Sequence, residues 1–307
     1  MQMTREEPSR ERDLTPKERV RFNECVKALV DLFEREKLPV PVADRIKDNV
    51  REVMTLEKGT PSYTPLTKKL LIPPGESQED DVLRIHEAGH AISHTKEYEA
   101  KRGDGPYVLR NGVMINIARP RALSSLFQTT PQIAAVQADR YFRDTFFRAL
   151  MEGINDAQAY RAFRESSDLA DRTPLNMNIG SYRNERELVY LIIDRISNYL
   201  KLPQSAIERM FLETHNFGWT KACKKALLET FGPNALRVLA VLETETYVAE
   251  IERDPDVRSY SRMPTFRRDG DLIQDFFGFS SIERREVAAQ KILQHTRIPY
   301  KPIPAER

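Results

Sequence analysis

The sequence predicts a mainly α-helical fold with a minor β component, an α+β protein in which helices carry most of the chain. Beyond residue 130, apolar residues recur at three- and four-residue spacing almost to the end. Only 12 glycines stand beside 19 prolines in 307 residues, which argues against a loop-dominated β architecture. Strand signals are confined to two short stretches, 68–72 and 107–117.

Residues 1–15 read as a solvated arm that ends where Thr15 can cap and Pro16 can open a helix. The run RVRFNECVKALVDLFEREK then places Phe22, Cys25, Val26, Leu29, Val30 and Phe33 at helical spacing, and a second helix is expected in VADRIKDNVREVMTLEK. Prolines bracket the run 68–72, which predicts a short or edge strand. SQEDDVLRIHEAGHAISHTKEYEAK opens on Ser77 and an acidic first turn and keeps Val82, Ile85, Ala88, Gly89 and Ile92 on a helical period, so it reads as a helix. YVLRNGVMINI is a hairpin candidate, because Asn111-Gly112 between β-prone runs favours a type I′ turn. Helices follow at roughly 131–166, 184–201, 204–215, 219–230, 233–250 and 282–296, separated by Pro and Gly breaks. The tail TRIPYKPIPAER is Pro-rich and reads as extended. The chain divides into a helical region at 1–60, a core at 61–170 and a helical region at 171–307, within the one or two domains that its length allows.

Bulk composition excludes several classes of function. Lys and Arg number 48 against 46 Asp and Glu, so no global field gathers nucleic acid or an acidic membrane. Cys25 and Cys223 lie far apart without a CxxC spacing, which points to reduced thiols in an intracellular protein. The N-terminal stretch has no apolar core of a leader, and nowhere do about 18 apolar residues run uninterrupted. A cytoplasmic protein is therefore expected, with neither a membrane nor a nucleic acid as its partner.

The chemistry concentrates at HEAGH, residues 86–90. Histidines four apart on a helix share a face, so His86 and His90 can reach one ion. Glu87 is swung toward the same side and is placed to take a proton from a water whose pKa a zinc ion lowers to about 7. Three of the five histidines fall within nine residues, and Ala88 and Gly89 are small enough for close packing of such a helix. The bland alternative is a charged helix whose histidines are solvated or bonded to neighbouring carboxylates. His94 continues the face, but eight residues of helix climb about 12 Å, so it and His86 cannot hold the same ion; it reads as a supporting or structural residue.

Two histidines need a further ligand. The metzincin spacing, which requires a histidine at 96 and a glycine at 93, is excluded by Lys96 and Ser93. Downstream, FFRALMEGINDAQAYRAF places Glu152 and Asp156 on one helical face, so that the first can ligate and the second can accept the free N–H of a ligating histidine. Glu97, Glu99, Asp139 and Asp144 are less favourably placed, and the plain alternative for Glu152 is a surface carboxylate. Tyr160 and His215 are the candidates for stabilising an oxyanion. His295 and Cys223 read as structural, and the short basic runs at 119–121 and 267–268 as solvated faces.

HEAGH with a later helical E-G-aliphatic and ExxxD resembles the gluzincin branch of zinc metallopeptidases. The likeness covers about residues 62–166. It implies a zincin-like core with a short sheet and an active-site helix, extended here by N- and C-terminal helices. It also implies Zn2+ held by His86, His90 and Glu152, with Glu87 as general base and Asp156 orienting a ligand. The run 68–72 would pair with an extended peptide or protein substrate by strand addition. The gap from His90 to Glu152 is 152 − 90 = 62 positions, filled by the hairpin and the start of the 131–166 helix, and Met151 stands where several subfamilies carry Asn. HEAGHA is also similar to membrane-bound proteases fused to an ATPase, but the chain has neither a Walker motif nor an expected span. The rival reading is a helical binding or regulatory protein whose metal site is structural or catalytically inactive.

Overall fold

In the computed structural model, which describes residues 11–57, 61–65, 67–99, 107–118, 142–170, 182–244, 264–278, 280–294, 296, 298 and 300, Thr15 caps the first long helix as expected. Its hydroxyl accepts from the Glu18 N–H at 3.3 Å while the Glu18 carboxylate accepts from the Thr15 N–H at 2.8 Å, and Pro16 opens α1 (Pro16–Arg35). The fold is mainly α-helical with a small β component, and the described chain groups into two compact units. Among the described residues, no helix is long and apolar enough to cross a membrane.

The first unit holds the described residues up to Ile92 together with those of 158–170. It comprises β1 (Glu11–Asp13), α1, α2 (Val42–Asn49), β2 (Glu52–Leu56), β3 (Ser62–Thr64), β4 (Lys69–Ile72) and α3 (Gln78–Ile92), with a later helical segment that returns to it. The sheet order is β1-β2-β4-β3: β2 runs parallel to β4, and β1 and β3 pair antiparallel at the two sides. Phe22, Cys25, Leu29, Leu32 and Phe33 of α1, Leu70 and Ile72 of β4, and Ile85, Ala88 and Ile92 of α3 form buried apolar faces. At the start of α3 sits Asp81, with no exposed surface. It accepts from Arg21 Nε at 2.8 Å and from Arg84 Nη1 at 2.9 Å, and Arg84 also donates to the Pro73 carbonyl at 2.8 Å.

The second unit holds the described residues of 93–118, 142–157 and from 182 onward. Its sheet is an antiparallel meander of β5 (Thr95–Glu99), β6 (Tyr107–Asn111), β7 (Met114–Ala118) and β8 (Phe142–Phe146). One long helix, α4 (Arg148–Glu165), begins here and passes at Gln158 into the first unit, where α5 (Ser167–Ala170) follows. The remaining helices are α6 (Arg183–Leu200), α7 (Gln204–Phe217), α8 (Lys221–Phe231), α9 (Ala235–Val241), α10 (Phe266–Phe277) and α11 (Ile282–Leu293). Val189, Ile192, Ile196, Phe211, Leu227, Phe231, Val238, Phe276, Phe277 and Ile292 belong to a continuous core with Leu150, Met151 and Ile154. In the first unit, Lys27–Asp168 at 2.6 Å, Arg35–Glu165 at 3.0 Å and an Arg161–Glu36 pair tie α1 to the returning segment.

Several expected boundaries move, most of them through pairing over a distance. Residues 11–13 are a strand on β2, not part of a solvated arm. The second helix stops at Asn49, and Glu52–Leu56 is drawn into parallel pairing with β4. Of the short or edge strand expected at 68–72, the short one is found, Lys69–Ile72, and the pairing makes it an inner strand flanked by β2 and β3. The helix that carries HEAGH ends at Ile92, and 95–99 pairs with β6. Residues 142–146 form β8 instead of helix, and the helical residues of that stretch begin at Arg148; 131–141 lie outside the described residues. The helix expected to 250 ends at Val241, and 245–250 lie outside the described residues, as do His295, the basic run 119–121 and most of the tail. Helix α10 was not anticipated, its apolar face formed by Ile273, Phe276 and Phe277 behind the breaker Gly270.

Two outcomes follow. Asp81→Asn leaves buried Arg84 without its opposing charge and is expected to destabilise the protein by about 3–5 kcal/mol, read as a lower urea midpoint at unchanged slope. The Glu18 carboxyl, gripped by both Arg12 terminal nitrogens at 2.7 and 2.8 Å, is lowered from 4.5 to about 2. Because its folded pKa is depressed, its contribution is present above 4.5 and is lost as pH falls toward 2. Glu18→Gln is therefore expected to flatten the fall in stability over that window in acid titrations followed by circular dichroism.

Candidate metal centre

Helix α3 is buried on nearly every turn, from Asp81 to Ile92, so its orphan backbone groups need protein partners. Ser77 and Asp80 supply them at the start: the Ser77 hydroxyl accepts from the Asp80 N–H at 3.1 Å, and the Asp80 carboxylate accepts from the Ser77 N–H at 3.0 Å. At the other end Asn49 Nδ2 donates to the Ala91 carbonyl at 2.7 Å and Arg45 Nη1 to that of Ile92 at 2.6 Å. Both donors come from α2. The helix that carries HEAGH is thus fixed at both ends.

On it, His86 has no exposed surface and His90 is 8 % exposed. Their Nε2 atoms stand 3.2 Å apart, with ring planes inclined at 72°. Two nitrogens each about 2.0–2.1 Å from one tetrahedral ion stand about 3.3 Å apart, so the pair fits the spacing that a shared ion demands. Glu152 of α4 brings a carboxylate to the same place: ligand atoms of His86, His90 and Glu152 all lie within 4.8 Å of one another, and all three residues are buried. Two imidazoles and a carboxylate are a donor set for a divalent metal such as zinc. This group can hold a metal ion. Glu87 follows His86 directly and is 3 % exposed.

The neighbours of Glu152 explain how α4 is seated. Asp156, one turn on, is buried, and its Oδ2 accepts from Arg186 Nη1 of α6 at 2.5 Å. Arg186 was missed in the sequence. Its signal was an arginine on the apolar stripe of Val189 and Ile193, a position that a charge occupies only with a buried partner. Between Glu152 and Asp156, Gly153 faces the α6 backbone: a Cβ there would lie 2.3 Å from the Glu185 carbonyl oxygen. The glycine allows a backbone approach that no other residue permits.

Three further candidates lie elsewhere on these elements. His94 is past the end of α3; its ring rests on Gly218 and its N–H donates to the His215 carbonyl at 3.4 Å. His215 itself is fully buried near the end of α7. Tyr160 is buried on α4, eight residues beyond Glu152, about 12 Å of helix rise. Cys25 and Cys223 are free and buried, and burial first, then Asp81, pushes the Cys25 thiol upward.

Comparison with protein-family models, with curated proteins and with solved structures finds no match to this chain. The site therefore stands on its own geometry. Gly153→Ala is expected to destabilise the protein by about 1–3 kcal/mol through overpacking, against the gain of about 1 kcal/mol that alanine brings to an open helix; chemical denaturation measures it.

Proposed function

We propose that this chain is a zinc-dependent metallopeptidase that hydrolyses peptide bonds with a metal-activated water and a glutamate general base. The observation that carries the reading is the meeting of His86, His90 and Glu152 at one point, with Glu87 next to the first of them. Together with the HEAGH and ExxxD wording, it supports a gluzincin-like arrangement. Zinc, when bound, polarises the scissile carbonyl and lowers the pKa of its water to about 7. Glu87 then takes the proton of the attacking water and delivers it to the leaving amine. Asp156, seated by Arg186, orients the ligand set. With β4 flanked on both sides, an extended substrate pairs in this reading along β3, an outer strand of its sheet among the described residues. The proposed setting is the cytoplasm, where the buried thiols of Cys25 and Cys223 stay reduced.

A second reading draws on burial. His86, Glu87, His90 and Glu152 are each at most 8 % exposed, which suits a metal held for stability in a helical binding or regulatory protein. One preparation separates the two. Protein purified without added metal is assayed for zinc content and for hydrolysis of a broad peptide library, beside Glu87→Gln. The metallopeptidase is expected to carry one zinc per chain, and the variant to keep the zinc while hydrolysis falls by about 100-fold or more. Zinc without hydrolysis in the unaltered protein supports the second reading, and full activity in the variant removes Glu87 from the mechanism.

A further inference from the structure

We propose that the hairpin turn at Gly112–Val113, one place on from the Asn111-Gly112 turn expected and entered from Asn111 at the end of β6, positions Glu152, acting as a spacer between the chain that leaves α3 and the residue that precedes the ligand. The proposal rests on the reading of His86, His90 and Glu152 as a ligand set. Ser93 and His94 follow α3 directly, three and four residues past His90. The turn grips both. The Ser93 hydroxyl donates to the Asn111 side-chain oxygen, and the Gly112 N–H donates to the His94 carbonyl at 2.8 Å. The opposite side of the turn meets α4. A Cβ on Gly112 would stand 2.7 Å from Met151 Sδ, 2.9 Å from Met151 Cε and 3.1 Å from the His215 carbonyl oxygen. Met151 is the residue before Glu152.

A hairpin turn needs glycine here for its backbone alone, since Gly112 has φ +56°. That requirement does not explain why the space beside it is filled. Methionine is a flexible neighbour and in the open would swing aside, but Met151 has no exposed surface and lies in the core with Val113, Leu150 and Ile154. Added volume at 112 therefore has two outlets. It pushes on Met151, and with it the first turn of α4, or it pushes on the backbone of His215. The neighbouring turn residues hold still: Trp219 Nε1 donates to the Val113 carbonyl at 3.1 Å, and Asn111 is 2 % exposed. The spacing of Glu152 from the segment after His90 is set by the missing side chain.

Two substitutions separate the spacer from the turn. Asparagine is among the side-chain-bearing residues that most readily take a positive φ, so Gly112→Asn strains the turn least while adding volume. Met151→Ala removes what that volume meets. Zinc affinity of the full chain is measured by competition with a chelator, and apo-protein melting is followed in parallel. Gly112→Asn is expected to weaken zinc binding about tenfold or more, the range over which supporting residues act on metal sites. Met151→Ala alone sets the reference for the loss of that contact, and Gly112→Asn with Met151→Ala is expected to lie within about threefold of it. A lowered melting temperature with unchanged zinc affinity in Gly112→Asn makes the turn merely structural and overturns the proposal, as does a double variant that stays as weak as the single. Should Gly112→Asn not fold, the double variant is compared with Met151→Ala alone, with binding within about threefold of it in favour and a further loss of about tenfold against. Full affinity in Glu152→Ala removes the ligand reading itself, and the proposal with it, and is told apart because it does not involve residue 112.

Discussion

A helix that buries Asp81, Arg84, His86, Glu87 and His90 within ten residues is the constraint on which the rest of the first unit depends. Each of these groups would cost several kcal/mol if taken from water without a partner. The surrounding elements are arranged as an answer. Helix α1 supplies Arg21 to Asp81, α2 supplies Arg45 and Asn49 to the last carbonyls, and the Pro73–Gly75 loop supplies carbonyls to Arg84. The sheet beneath contributes apolar faces, with Leu70 and Ile72 of β4 fully buried. A charged helix in the interior is therefore a consequence of specific donors at both ends, and its two imidazoles inherit that rigidity.

The parts of this arrangement that could be read from the sequence are those that rest on local geometry. Helical spacing alone puts His86 and His90 on one face, Ser77 ahead of an acidic turn starts the helix, and ExxxD puts Glu152 and Asp156 together one turn apart. What could not be read depends on partners far along the chain. Residues 52–56 hold three helix formers, Glu52, Met54 and Leu56, against the strand formers Val53 and Thr55, and only the parallel register with β4 makes them a strand. The run 68–72 looks like an edge because the strands that flank it come from 52–56 and 62–64. Arg186 becomes meaningful only when its carboxylate, thirty residues earlier, is known. Gly112 reads as a turn glycine, and its contact with Met151 carries no local signature at all.

The candidate centre combines two kinds of support. His86 sits in the middle of a clamped helix and His90 in its last turn, whereas Glu152 sits in the first turns of one seated through glycine, with Gly153 against the Glu185 carbonyl and Asp156 against Arg186. Helix-to-helix contact at this closeness is a matter of backbone shape more than of side-chain chemistry, and small changes of volume are felt along the whole helix.

The way α4 and α5 return to α1 has a consequence for how the protein is made. Ion pairs from Lys27, Arg35 and Glu36 reach Asp168, Glu165 and Arg161, more than a hundred residues later in the chain. During synthesis the amino-terminal unit emerges first but lacks the segment that covers this face of α1 until residues 158–170 have left the ribosome. A nascent chain halted before that point shows chaperones the uncovered face, and the order of translation does not match the order in which the unit closes.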